Sequence, residues 1–238
     1  MCTLTWRPAE GSGYDLFFNR DELDTRAQEV PPVLVTGTHG GRLAAPRDGP
    51  GGGTWLALND RGVVLALLNH YPESARRSLP SAPPRPSRGA VCWNVENARS
   101  ATEAVAQVTA HHRAEFAPFH LIALDADGGG AWHSWDGEQW TGGPAPRFLT
   151  SSSYRTREIE AERAERWRRL QPSTREAMEA FHWSHEPESG AASICMRRSD
   201  ARTRSVIHVT VRPDRRRLSY RPVLTPGVQT PTSIEVNL

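Results

Sequence analysis

Cysteine is scarce: the 238-residue chain has three, Cys2, Cys92 and Cys195, an odd and scattered set without a CxxC pair. That excludes a disulfide framework and offers no zinc or thiol-exchange motif, so each thiol needs its own explanation. Cys92 and Cys195 stand among apolar neighbours, Val91-Trp93 and Ile194-Met196, and read as small buried hydrophobes. Net charge is nearly absent too. Lysine does not occur, and 29 basic residues against 27 acidic ones leave a formal charge of +2. This is too little for a domain-wide phosphate-binding field, so nucleic acid is not an expected partner. No window is apolar over the length that spans a bilayer, and Met1 to Pro8 has no charged region followed by an apolar stretch. A cytoplasmic protein without membrane insertion is expected. HExxH and CxxCH are missing, so His111-His112 reads as a surface pair and no metal or resident cofactor is expected. Gly51-Gly52-Gly53 lacks a following Gly-Lys-Ser/Thr and precedes a strand, which makes it a tight turn and not a phosphate loop.

What is present describes a folded chain. A hydrophobic fraction of 37% and a charged fraction of 24% suit a globular protein, and the length suits one domain over residues 1–238. Short apolar runs at Leu4-Trp6, Tyr14-Phe18, Trp55-Leu58 and Val63-Leu68, separated by turn residues, read as strands. Trp55 to Ala66 reads as a hairpin turning at Asn59-Gly62, and its second, almost wholly apolar run should be central. Leu79 to Arg88 holds four prolines and reads as a surface loop. Ser100 to Ala114 reads as an amphipathic helix behind a Ser cap. His120-Asp125, Gly130-Trp135 and Arg147-Ser151 are further strands, with Trp132, Trp135 and Trp140 as rim or core aromatics. Arg155 to Leu170 reads as a helix whose Glu162/Arg166 and Glu165/Arg169 pairs mark a solvated face. Ser173 to Glu176 resembles a capping box opening another helix, and Ala192-Met196, Val206-Val211 and Leu218-Arg221 complete the strands. Strand runs broken by two helical regions favour packed sheets with helices outside.

Position draws attention to Cys2. Aminopeptidase removes an initiator Met before a small side chain, leaving a thiol beside its own α-amine. An amine of pKa about 7.7–8.0 can act as base for a thiol of about 8.5. One residue would then supply nucleophile and base, although a second residue is also a common place for a frayed end. A further feature is Phe17-Phe18-Asn19-Arg20-Asp21-Glu22-Leu23, an apolar run ending in four polar residues. It reads either as a polar turn or as a strand end projecting Arg20 and Asp21 beside Cys2, the cation stabilising thiolate and the carboxylate orienting the amine.

Four ordered motifs carry a family resemblance: Met1-Cys2-Thr3-Leu4, Asn19-Arg20-Asp21-Glu22, Gly52-Gly53-Thr54-Trp55-Leu56-Ala57 with Asn59-Asp60-Arg61-Gly62, and Leu67-Leu68-Asn69-His70. With Ser193 to Met196 and Ala201 to Val206 as a closing segment, the chain resembles the NRDE family, also called the transport and Golgi organization protein 2 family. The resemblance implies an α+β fold, a four-layer αββα sandwich of two antiparallel sheets with outer helices, similar to N-terminal-nucleophile hydrolases. It implies catalytic roles for Cys2, Arg20, Asp21, Asn69 and Arg202, with Asn69 donating to an oxyanion. Ser151 stands where relatives place a second Asn, and its hydroxyl has one donor on a shorter arm. Asn19, Trp55 and Ser151 are the expected substrate contacts. Two functions remain open: an N-terminal-cysteine hydrolase or acyltransferase acting on a small-molecule amide or ester, or a non-catalytic carrier of haem, lipid or acyl-CoA. As a carrier of haem it would draw its ligand from candidates such as His39, His70 and His112.

Overall fold

The structure is a computed structural model that describes residues 1–49, 51–73, 85–110, 115–224 and 233–238. Strands β1 (Cys2–Pro8) and β2 (Tyr14–Leu23) lead into β3 (Val30–Thr36), β4 (Arg42–Arg47), β5 (Leu56–Asn59) and β6 (Val64–Asn69). A 3-10 segment (Arg88–Val95) and α1 (Ala101–Ala110) precede β7 (Phe119–Leu124), β8 (Gly130–Trp135), β9 (Trp140–Pro144) and β10 (Phe148–Ser151). Helices α2 (Thr156–Leu170) and α3 (Arg175–His182) precede β11 (Ala201–Arg212), β12 (Arg215–Pro222) and β13 (Ile234–Asn237). Among the described residues the strands form two antiparallel sheets, ordered β10-β1-β2-β11-β12-β13 and β3-β4-β5-β6-β7-β8-β9.

The two-residue repeat of a strand fixes what lies between the sheets. Leu4 and Trp6 of β1, Leu16 and Phe18 of β2, and Ile207 and Val209 of β11 meet Leu56, Val64 and Leu68 of the other sheet. The opposite face of the seven-stranded sheet packs Leu43, Leu65 and Leu121 under α1 and the 3-10 segment. Helices α2 and α3 lie against β10 and β2 of the six-stranded sheet. The result is the αββα sandwich, with β6 central as its apolar run implies. Gly62 turns the β5–β6 hairpin at a φ of 80°, and the Tyr14 hydroxyl donates to its carbonyl. The triple glycine is a packing device: a Cβ on Gly53 would lie 2.7 Å from the Gly89 backbone, whose carbonyl accepts from Thr54 N.

Several expectations are corrected. Ala192–Met196 is a chain of turns and bends, because Cys195 N bonds back to Ser184 O and the Asn19 amide takes up Ile194 O. Strands β3, β9 and β13 escape the sequence pattern because they are sheet edges, where Pro31-Pro32 and Gly142-Gly143-Pro144 are tolerated. Ser100 caps α1 as read, accepting from Glu103 N, whereas Thr174 and not Ser173 caps α3. Most of the proline-rich stretch and all of His111-His112 lie outside the described residues. The charge run on α2 is not wholly solvated. Arg163 is fully buried and Arg166 nearly so, and Arg166 pairs with Glu186 while Glu165 pairs with Arg168, in place of the expected i,i+4 partners.

A buried histidine, His182, and a half-buried one, His120, make the fold acid-sensitive. His182 lies between Thr5 Oγ1 at 2.7 Å and Asn19 Oδ1 at 2.6 Å, and His120 packs tilted against His70 with Trp132 stacked on it; burial pushes both down to about 3. A lowered folded value means the unfolded chain binds the extra proton, so stability is complete above about 6.5 and falls as pH drops toward about 3. Urea midpoints should therefore decline between pH 7 and 5, and His182→Gln should flatten that decline. An unchanged slope in the variant would remove His182 as its source.

Candidate active site

Strand β1 lies between β10 and β2, and that places Cys2. Met1 and Asp21 exchange backbone hydrogen bonds, Asp21 N to Met1 O at 2.9 Å and the Met1 ammonium to Asp21 O at 3.1 Å. The next pair, Cys2 with Arg20, is thus the non-hydrogen-bonded kind, in which facing side chains stand closest. On the other side Cys2 is in register with Ser151, whose buried hydroxyl has no hydrogen-bond partner among the described residues. Cys2 itself is half-buried at a cleft of about 480 Å³ whose walls include Arg20, Trp55, Leu67, Asn69 and Arg88. Asn69 reaches the cleft from the end of β6 and donates to the Tyr71 hydroxyl at 3.1 Å. A larger cavity, about 630 Å³, opens beside the β3–β4 turn around His39, Leu43 and Trp93; no cysteine lines it. His39 belongs there, and neither it nor His70 lines the Cys2 cleft.

Adjacent strand residues point to opposite faces, so Arg20 and Asp21 cannot both flank the thiol with their side chains. Arg20 stays on the inner face. It pairs with Glu29 at 2.6 Å, approaches Asp48 and Glu22 at 3.4 and 3.5 Å, and stacks 4.5 Å from the centre of the Trp55 ring. Asp21 turns outward under α2, where Arg163 donates from Nη1 and Nη2, both at 3.1 Å, and Thr203 Oγ1 donates at 2.7 Å. Its carboxylate anchors a buried polar cluster that includes Thr3 and Thr150, in place of the expected hold on the amine. Its backbone faces the chain start, the N–H donating to Met1 O and the carbonyl accepting from the Met1 ammonium.

Arg20 does not dominate the thiol either. With Met1 in place, the Cys2 thiol is pushed up to about 11, chiefly by desolvation. The Met1 ammonium opposes this most strongly, and Arg20 opposes it less, its charge being shared with three carboxylates. Burial pushes Cys195 up to about 12 and Cys92 higher, in keeping with their buried settings. Two more expected site residues are elsewhere. Asn19 is fully buried, tying the His182 and Ile194 carbonyls to the sheet, and does not line the cleft. Arg202 pairs with exposed Asp24 and also lies off the cleft. The Thr203-Arg204-Ser205 step is a β-bulge opposite Asp21 and Arg20, and it delivers Thr203 to the Asp21 carboxylate.

Sequence reading missed Arg163, Glu29 and Asp48. For Arg163 a signal existed: it follows Ile159 by four residues, on the stripe that α2 turns to the sheet. Glu29 and Asp48 sit in segments without a pattern and are recognisable only by what they pair with.

A model of the family described as transport and Golgi organisation 2 matches residues 1–189. The chain belongs to that family. The match ends before the closing segment around Ala201 to Val206. Among solved structures, penicillin V acylase from Agrobacterium tumefaciens superposes with a TM-score of 0.60 at 15% identity, covering 100% of this chain and 86% of the acylase. An N-acylethanolamine-hydrolyzing acid amidase ortholog from Caenorhabditis elegans gives 0.58 at 12%, covering 90% and 94%. A mutant conjugated bile acid hydrolase from Clostridium perfringens gives 0.58 at 10%, covering 100% and 92%. These likenesses establish the N-terminal-nucleophile hydrolase fold for this family member. No curated protein matches the chain.

The Asp21–Arg163 pair is fully buried on both sides, so removing one partner strands a charge. Arg163→Met should cost about 3–5 kcal/mol of unfolding free energy, read by urea denaturation. A loss under about 1 kcal/mol would mean the pair is not a keystone of this face.

Proposed function

We propose that, once Met1 is removed, this family member acts as an N-terminal-cysteine hydrolase or acyltransferase on a small-molecule amide or ester in the cytoplasm. The supporting observation is the setting of Cys2: first in its strand, opposite Arg20, half-buried, and open to a cleft lined by Trp55 and Asn69. The relatives in fold are, by their names, an acylase, an amidase and a hydrolase.

In this reading the α-amine of Cys2 takes the thiol proton as sulfur attacks the substrate carbonyl carbon. The carbonyl π pair moves to oxygen, and the Asn69 amide donates to that oxyanion. The buried Ser151 hydroxyl, in register with Cys2 and unpartnered among the described residues, does not line the cleft, and would serve as a second donor only through the strand neighbourhood it shares with the thiol. Collapse returns the pair, breaks the bond to the leaving group and hands it the proton. Water or another acceptor then cleaves the thioester. Trp55 and Leu67 supply apolar wall for an acyl chain. Among the described residues no helix is long and apolar enough to cross a membrane.

A retained Met1 favours the second function, carriage of haem, lipid or acyl-CoA. Met1 ties down the chain start through Asp21 and Ser152 and leaves the thiol at about 11, protonated at neutral pH. Intact mass decides between them. Purified from its own host, the protein should lack Met1, and an electrophilic carbonyl reagent should add one equivalent that Cys2→Ser abolishes. A retained Met1 with no adduct would leave only the carrier reading. Asn69→Ala should lower turnover about 10²- to 10³-fold, as loss of one oxyanion donor does; a loss below about threefold would take Asn69 out of the oxyanion site.

A further inference from the structure

The cleft contains more cations than its acids can match. Arg20 and Arg26 are engaged by Glu22, Glu29 and Asp48. Two others that line the cleft, Arg85 and Arg88, have backbone partners: Arg88 Nη1 donates to Pro118 O at 2.9 Å and Arg85 Nη1 to Phe116 O at 3.3 Å. Among the described residues neither has a carboxylate at ion-pair distance. Residues 50, 74–84, 111–114 and 225–232, outside the described set, include no Asp or Glu, so the chain has no other acid to offer. Arg88 is half-buried, and desolvation, with Arg26 adding to it, lowers its pKa; Tyr71, Cys2 and the more distant Glu22 act in the other direction. A guanidinium held in a partly desolvated wall without a carboxylate at ion-pair distance is costly unless an anion arrives with the ligand.

We propose that Arg88, with Arg85 at the rim, binds a negatively charged group on the non-reacting part of the substrate, so that the cleft selects acyl compounds carrying a carboxylate or phosphate. This rests on the reading of the Cys2 cleft as the substrate site. Arg88 acts as a specificity determinant. Its contact with Pro118 O holds the guanidinium at the cleft that Cys2 also lines, and the acid-paired Arg20 and Arg26 leave Arg88 and Arg85 as the cleft arginines without an ion-paired carboxylate. Neutral amides of the same shape fit the apolar wall and leave Arg88 unanswered.

Binding is measured so that it does not depend on thiol chemistry. Full-length Cys2→Ser protein is titrated by calorimetry with N-octanoylglycine and with its neutral amide, N-octanoylglycinamide, alone and combined with Arg88→Met or Arg88→Lys. An N-phosphorylated or phosphonate analogue of the same chain length reports which anion fits better. The carboxylate or its phosphorus analogue should bind roughly tenfold more tightly than the neutral amide, the worth of one charged hydrogen-bonded contact. Arg88→Met should erase that preference while leaving neutral binding within about twofold, and Arg88→Lys should retain part of it. Equal binding of charged and neutral probes, no binding of either, or a preference that survives Arg88→Met would each overturn the proposal. Because serine replaces the nucleophile throughout, an inert Cys2 would sink the enzymatic reading without altering this result.

Discussion

Side chains alternate across a strand, and the site depends on that alternation at two consecutive residues of β2. Arg20 faces the inter-sheet cleft and Asp21 the helical layer, so one dipeptide joins two polar networks through the sheet. On the inner side Arg20 gathers Glu29, Asp48 and the Trp55 ring, and Arg26 adds a second grip on Asp48. This fixes the turn after β4 as a wall of the cleft. On the outer side Asp21 gathers Arg163, Thr203 and, through Arg163, Thr3 and Thr150. The strands that flank Cys2 are thereby pinned from beneath, and the thiol is positioned by a face it does not touch.

The same geometry gives Met1 a definite place. Its carbonyl occupies the Asp21 N–H and its sulfur accepts from Ser152 Oγ, so the first residue fills the space beside the thiol. Desolvation by this surrounding dominates the thiol, more than any nearby charge. Loss of Met1 would admit water, place an α-amine on Cys2 and release the Asp21 amide toward the cleft. Those changes act together to favour thiolate, and they arise from one cleavage.

Much of this architecture is legible in the chain. The apolar runs at Tyr14-Phe18 and Val63-Leu68 announce buried strands because both sides of each are covered. The edge strands β3, β9 and β13 are not legible, since an edge tolerates Pro31-Pro32 and exposes Val33 and Leu34 without penalty to the core, whereas the edge β10 is read from Arg147-Ser151 and the interior β4, a short run between two arginines, is missed. At the site, Cys2, Trp55 and Asn69 are found from motif and position, and the structure brings them to one cleft. Arg20 and Asp21 are found as residues, yet their roles are inverted by the pleat: a linear reading sees two neighbours, whereas the sheet separates them. Asn19 is misread for the same reason, sharing its outward parity with Asp21. Arg163 hides in a charge run because its desolvation follows from Asp21 beneath it, a partner 142 residues away.

The central claim is that Cys2 becomes a nucleophile only when the residue before it is gone. The most direct measurement is the pH dependence of alkylation at Cys2, resolved by mass spectrometry, in the Met1-free protein and in a form that retains Met1. With Met1 present the midpoint should lie near 11; without it the midpoint should fall by at least about two units, as for thiols beside a cation. Cys195, pushed up to about 12 by burial, should alkylate slowly in both. Identical midpoints for Cys2 in the two forms would contradict the account.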